Sequence, residues 1–201
     1  MRELLTTALA LLLLTSFGAR AQADPACVQL SSVTTSANET RNDRRTKLLK
    51  VLRQKSFPSE EQIRTVGSDV DSILATIINN RELDQPTRVR AVWCLKYFKN
   101  KRARLLVRSI VTDPMWLKPF KIAAVVAMGY THGDEAFDTV RDSCNDSDAD
   151  LRLACIKAMD VMGGQNALNL LRSMQVRERD SDVMSAIDKV IKKLARPAYP
   201  R

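Results

Sequence analysis

The sequence predicts an all-α chain, a right-handed α-solenoid of about four to five helix pairs, and three observations carry that expectation. Four stretches of one helical pattern, VRAVWCLKYF from Val89, FKIAAVVAMG from Phe120, LRLACIKAMD from Leu151 and VMSAIDKVIK from Val183, start 31, 31 and 32 residues apart. A fixed period of this size marks stacked repeats rather than one globular core. Aligned on their first residues, the copies share a small column, Val92, Ala123, Ala154 and Ala186, and a larger apolar one, Tyr97, Met128, Met159 and Ile191. The gaps between copies hold second helices over about 101–112, 134–145 and 165–177, with Leu105/Leu106, Ala136/Phe137 and Ala167/Leu168 recurring in them.

In chain order, residues 1–23 read as a secretory signal peptide. Arg2 gives the basic start, LLTTALALLLL the apolar stretch and Ala21-Gln22-Ala23 a small-x-small cleavage site, with a second good site after Ala21. The apolar run is short for a transmembrane helix. Asp24-Pro25-Ala26 before Cys27 lacks the residues of a lipobox, which argues against lipidation. Residues 24–40 are small, polar and poor in charge, a flexible lead segment. From Arg41 the pattern becomes amphipathic: one helix around Leu48 to Leu52, a break at Phe57-Pro58-Ser59, and one longer helix from Ile63 to Ile78. This pair caps an array over 41–196, and 197–201 form a tail.

An Asp or Pro precedes each first helix, at Asp84 with Pro86, Asp113 with Pro114, Asp146 to Asp150, and Asp180 with Asp182. Such residues accept from free N–H groups or preset the first turn. Gly129, Gly133, Gly163 and Gly164 are expected in the turns between paired helices. Arg90, Lys121 and Arg152 share the second position of three copies, a structural ladder expected to pair with an Asp of an adjacent turn.

The pattern resembles the HEAT-like repeats of the phycobilisome-lyase type: an Asp-rich turn, a Val-Arg start, small residues and an Ala-Leu-Gly end. The matching residues are Asp84, Val89, Arg90 and Val92; Phe120, Lys121, Ala123, Ala127, Met128 and Gly129; then Asp148, Leu151, Arg152, Ala154, Ala158 and Met159. The resemblance covers about half of the chain. It implies HEAT-like helix pairs used as a binding surface, and in a few such proteins action on a chromophore; no lyase-specific motif is present.

Four cysteines allow three pairings of two disulfides. Cys144 ends one helix and Cys155 lies one turn into the next, so Cys144–Cys155 is a candidate bridge, with Cys27–Cys94 as the second. The alternative is that Cys94 and Cys155 fill core space as small apolar residues.

The formal net charge is +9 and uneven. Between Gln85 and Thr112 eight basic residues, among them Arg102, Arg104 and Arg108, meet no acid, whereas 132–188 hold twelve acids against six bases. Export and sparse aromatic interleaving argue against nucleic acid as the partner. An acidic protein, an anionic envelope polymer or a lipid surface fits better, beside the plain reading of solvated helix faces.

Signals for chemistry are weak. His132 is the single histidine, in a Thr-His-Gly-Asp turn, and no zinc spacing, phosphate loop or nucleophile elbow is present. DSDAD from Asp146 lacks the Gly and Glu of a calcium loop and reads as helix capping. The expectation is therefore a non-enzymatic chain without cofactor or metal. It is an exported adaptor, periplasmic or extracellular, that binds a protein through a groove of second helices. Arg102, Arg104 and Arg108 steer an acidic partner there, and Leu106, Trp116 and Phe137 make contact. Trp93 and Tyr97, one turn apart, are assigned to packing, whereas Trp116 sits in the loop DPMWLKPF. The alternative is an envelope module for anionic polymer or lipid; a lyase-like enzyme follows from family analogy alone.

Overall fold

The computed structural model describes residues 40–196, all-helical with no strand among them. The signal peptide, the lead segment up to residue 39, Cys27 and the 197–201 tail lie outside the described residues. The helices are α1 (40–52), α2 (Glu60–Arg64), α3 (Val70–Asn79), α4 (Gln85–Cys94), α5 (Lys101–Thr112), α6 (Lys118–His132), α7 (Phe137–Cys144), α8 (Ala149–Met162), α9 (Gly164–Arg177) and α10 (Ser181–Leu194). Short 3₁₀ turns at Leu95–Tyr97 and Gly133–Ala136 follow α4 and precede α7. The four repeated stretches are α4 with its 3₁₀ turn, α6, α8 and α10.

Those four form a row in which α4 packs on α6, α6 on α8 and α8 on α10, while α5 packs on α6, α7 on α8 and α9 on α10. The small column explains the row: Val92, Ala123 and Ala154 are buried at the crossings, and Met128 and Met159 fill the space beside them. Small side chains let helix axes approach, and larger neighbours fill the gaps that remain. At the N-terminal end, Leu48 and Leu52 of α1 join Ile73, Leu74, Ile77 and Ile78 of α3 in the same core.

Three of the four first helices start at the expected aspartates; α6 starts after Leu117 with Pro119 in its first turn and no side-chain cap, and Asp113 accepts from the Met115 N–H within the preceding loop. Asp84 accepts from the Thr87 N–H at 2.8 Å, Asp148 from Asp150 at 2.9 Å, and Asp180 from Asp182 and Val183 at 3.0 and 3.1 Å. Asp146 accepts from the Asp148 N–H, so DSDAD is spent on capping. Among the described residues, no group of His, Cys, Asp and Glu could hold a metal ion.

Several expectations are corrected. The long helix over Ile63 to Ile78 is two helices, because Gly67 at φ 146° bends the chain between α2 and α3. Ser59 and Gln62 cap α2 reciprocally, Gln62 donating its N–H to the Ser59 hydroxyl and Ser59 its N–H to the Gln62 side chain. Gly133, Gly163 and Gly164 do occupy turns with positive φ, but Gly129 lies inside α6. Its role is close approach: a Cβ there would stand 2.9 Å from the Cα of Ala158 on α8. The arginine ladder is structural at two of three positions, with other partners than the expected aspartates. Arg90 donates to the carbonyls of Leu52, Gln54, Lys55 and Ser56, clasping the end of α1. Arg152 donates to the carbonyls of Asp146 and Ser147 and, twice, to the Glu178 carboxylate at 2.8 and 3.0 Å. Lys121 makes no such bond among the described residues.

The Arg152–Glu178 pair joins two repeats, its side chains 17% and 7% exposed. Arg152's hydrogen bonds, with help from the Asp180 and Arg179 N–H groups and against the cost of burial, hold the Glu178 carboxyl down at about 2. The unfolded chain binds that proton at about pH 4.3. The pair's contribution is therefore complete above that pH and disappears as pH falls toward 2. Acid titration of unfolding is expected to show this loss in the native chain, and Glu178→Gln to flatten it. At pH 7, Arg152→Met is expected to cost about 2 kcal/mol, between the values for exposed and fully buried pairs.

Candidate functional site

The four repeats are alike in their buried columns but not on the face they turn outward. On α8, Asp150, Leu153, Lys157 and Asp160 recur at helical spacing and form its outward stripe. Ile122 and Val126 of α6 rise on one side of that stripe, and Ala186, Lys189, Val190 and Lys193 of α10 on the other. Together with Trp93 from α4 they enclose a trough of about 650 Å³ with an apolar floor. The size and lining are those of ligand and peptide grooves.

Trp93 reaches this trough although α6 stands between α4 and α8 in the row. The Lys157 ammonium lies 5.6 Å from the centre of its ring, and Lys96 lies 5.5 Å from it. Phe57 packs against the same indole at 5.6 Å and carries the Arg90 guanidinium 4.9 Å from its own ring. Lys96 also sits 4.9 Å from the Tyr97 ring and 5.4 Å from that of Tyr130. Each such contact is worth about 0.5–1 kcal/mol at an exposed site, enough to preset a lysine without neutralising it.

The trough's charges do not cancel. Asp160 is held by Lys193 at 2.6 Å, and Asp150 by Lys118 at 3.0 Å. Lys157 and Lys189, both exposed, meet no carboxylate among the described residues. The result is an apolar floor with both carboxylates paired and two ammonium groups left over.

The six residues singled out from sequence lie elsewhere, and they do not share one surface. Arg102 turns toward α3, 3.4 Å from the Asp71 carboxylate. Arg104 is ion-paired with Glu135. Arg104 and Arg108 line a small cleft of about 420 Å³ with Lys99, Lys101, Leu105 and His132. Leu106 and Phe137 pack against the core, and Trp116 packs tilted against Phe120, ring centres 5.2 Å apart. Beside the expected surface of second helices, the structure holds a trough lined by first helices. The helices α5, α7 and α9 pack on the first-helix row, and along the trough Ile122, Leu153 and Ala186 stay partly exposed.

A sequence signal for the trough exists in the seventh position of the copies. It runs Leu95, Val126, Lys157, Lys189, so the column changes from apolar to cationic along the array. His132, expected in a surface turn, ends α6 half-buried, 2.7 Å from the Thr131 hydroxyl. Burial, and then the nearby Arg104, push its imidazole below the ordinary value, so it is neutral at pH 7.

A disulfide joins Cys144 to Cys155, with Cα atoms 5.3 Å apart. Cys94 is buried and forms no disulfide among the described residues; burial pushes its thiol up to about 12, which keeps it protonated. Its proposed partner, Cys27, lies outside the described residues. Among those residues no helix is long and apolar enough to cross a membrane. No family model matches this chain, and no curated protein matches it.

Proposed function

We propose that the chain is a HEAT-like α-solenoid acting as an exported adaptor, without catalytic activity, that holds an acidic amphipathic segment of another protein in the first-helix trough. The observation that carries this reading is the trough itself, whose apolar floor is edged by Lys157 and Lys189 with no carboxylate of their own. A segment with apolar side chains at helical spacing would cover Leu153, Ile122 and Ala186. Its carboxylates would meet the two lysines, adding steering and register more than raw affinity. Trp93, half-buried and braced by Phe57, is the kind of rigid aromatic that anchors interfaces. The repeat spacing and the row of first helices support the solenoid. The Cys144–Cys155 bridge suits an oxidising compartment, and with the signal-like first 23 residues it supports export.

The test is recovery of the partner from cells by tagged protein. Leu153→Lys places a charge on the trough floor and is expected to abolish recovery with little change in melting temperature. Arg102→Gln with Arg108→Gln, on the α5 side, is expected to leave it intact. The opposite pattern would return the binding surface to the second helices.

A further inference from the structure

The cleft of about 420 Å³ beside α5 has a charge pattern of its own. Lys101, Arg104 and Arg108 line it from one face of that helix, and Lys99 joins them just before the helix starts. The other wall is His132, at the end of α6, and Glu135, in the 3₁₀ turn that follows. Arg104 and Arg108 stand one turn apart, and like charges so placed repel each other. The lining holds a single carboxylate, Glu135, which is ion-paired with Arg104. Glu135 is 73% exposed, so this is a surface pair of small worth that a stronger anion can replace. Lys99 and Arg108 meet no carboxylate among the described residues. Lys101 stands on the rim shared with the depression of Asp69 and Asp71. In that depression two carboxylates face two cations, with Arg102 3.4 Å from Asp71, whereas in the cleft four cations face one carboxylate.

We propose that this cleft binds a phosphate group, free or carried on a small molecule, with Arg104 and Arg108 on its oxygens and Lys99 and Lys101 adding attraction. Two guanidinium forks one turn apart offer many N–H donors to one group. That suits the three acceptor oxygens and near-double charge of a phosphate better than the two oxygens and single charge of a carboxylate. Glu135 marks the place the anion takes and yields it. The volume exceeds that of a bare phosphate and leaves room for an organic portion beside the exposed Leu105. The cleft shares no lining residue with the trough, so either proposal can fail without the other.

His132 is the one histidine of the chain, so its ring resonances report from this wall alone. The protein would be titrated at low salt with inorganic phosphate and with phenyl phosphate, and followed by calorimetry and by NMR of that imidazole. Saturable binding is expected, with the His132 resonances shifting along the same isotherm. The His132 pKa, held down by burial, then Arg104, with Arg108 adding and Glu135 opposing, should rise, because a bound dianion offsets the two guanidinium groups. Affinity should fall at least tenfold in Arg108→Gln and rise in Glu135→Gln, which removes the competing carboxylate, with circular dichroism unchanged in both. Arg172→Gln, the same loss of charge on α9, should leave it as it is. Tighter binding of phenyl phosphate would place the phosphate on a small molecule, and equal binding would make free phosphate the ligand. Absence of saturation, unmoved His132 resonances, undiminished binding in Arg108→Gln or an equal fall in Arg172→Gln would each overturn the proposal.

Discussion

Gly129→Val is expected to destabilise the protein by about 3 kcal/mol, at the upper end of the cost of overpacking a core. Gly129 lies in the middle of the crossing of α6 and α8, the most extensive helix contact among the described elements. A Cβ there would meet the Cα, carbonyl oxygen and Cβ of Ala158 at 2.9, 3.0 and 3.1 Å. Two of those atoms are backbone, so no rotamer change relieves the clash and the helices must part. Even Ala, which gains up to about 1 kcal/mol over Gly in helix propensity, is expected to lose on balance. For a domain of this size the valine variant should melt roughly 10 °C lower. A melting point within about 2 °C of the native one would show that the crossing is loose enough to yield.

Removing the Cys144–Cys155 bridge is the second large effect. The bridge spans 11 residues, and closing a loop of that length in the unfolded chain is worth about 2.5–3 kcal/mol. It also fixes the end of α7 against α8, beside the Asp146 and Ser147 carbonyls that Arg152 holds. Both sulfurs are buried, so Cys144→Ala with Cys155→Ala removes the bond without burying new polar groups. Denaturant unfolding should show that loss in the double variant, and reductant should shift the native chain but not the variant. Equal sensitivity of both proteins to reductant would place the stabilising bond elsewhere.

Much of the architecture was legible because the signals that set it are local and repeated. Val92, Ala123 and Ala154 mark the crossings, Asp84, Asp148 and Asp180 start helices, and Gly133 and Gly163 turn the chain. What misled was position within the array. Gly129 reads as a turn glycine from its place at the end of a copy, and only the nearness of Ala158 shows otherwise. Gly67, inside an apolar period that runs unbroken across it, splits the expected long helix because backbone conformation outweighs periodicity there. The trough proposed as the binding surface was the least legible part. A run of eight bases draws the eye to α5, yet Arg102 and Arg104 are neutralised by Asp71 and Glu135 from other helices, which sequence order cannot reveal. Lys157 and Lys189 stand out only once the copies are stacked and the packed faces are known.

The outward face of α8 is proposed to receive an acidic segment. The most direct measurement is photocrosslinking in cells from position 157, with position 104 on α5 as control, followed by mapping of the crosslinked residues. One recurring adduct is expected from position 157, on a stretch of a single protein with carboxylates beside apolar residues at helical spacing, and none of it from position 104. Recurrent adducts from position 104 alone, or a mapped segment that is basic or lacks an apolar face, would contradict it.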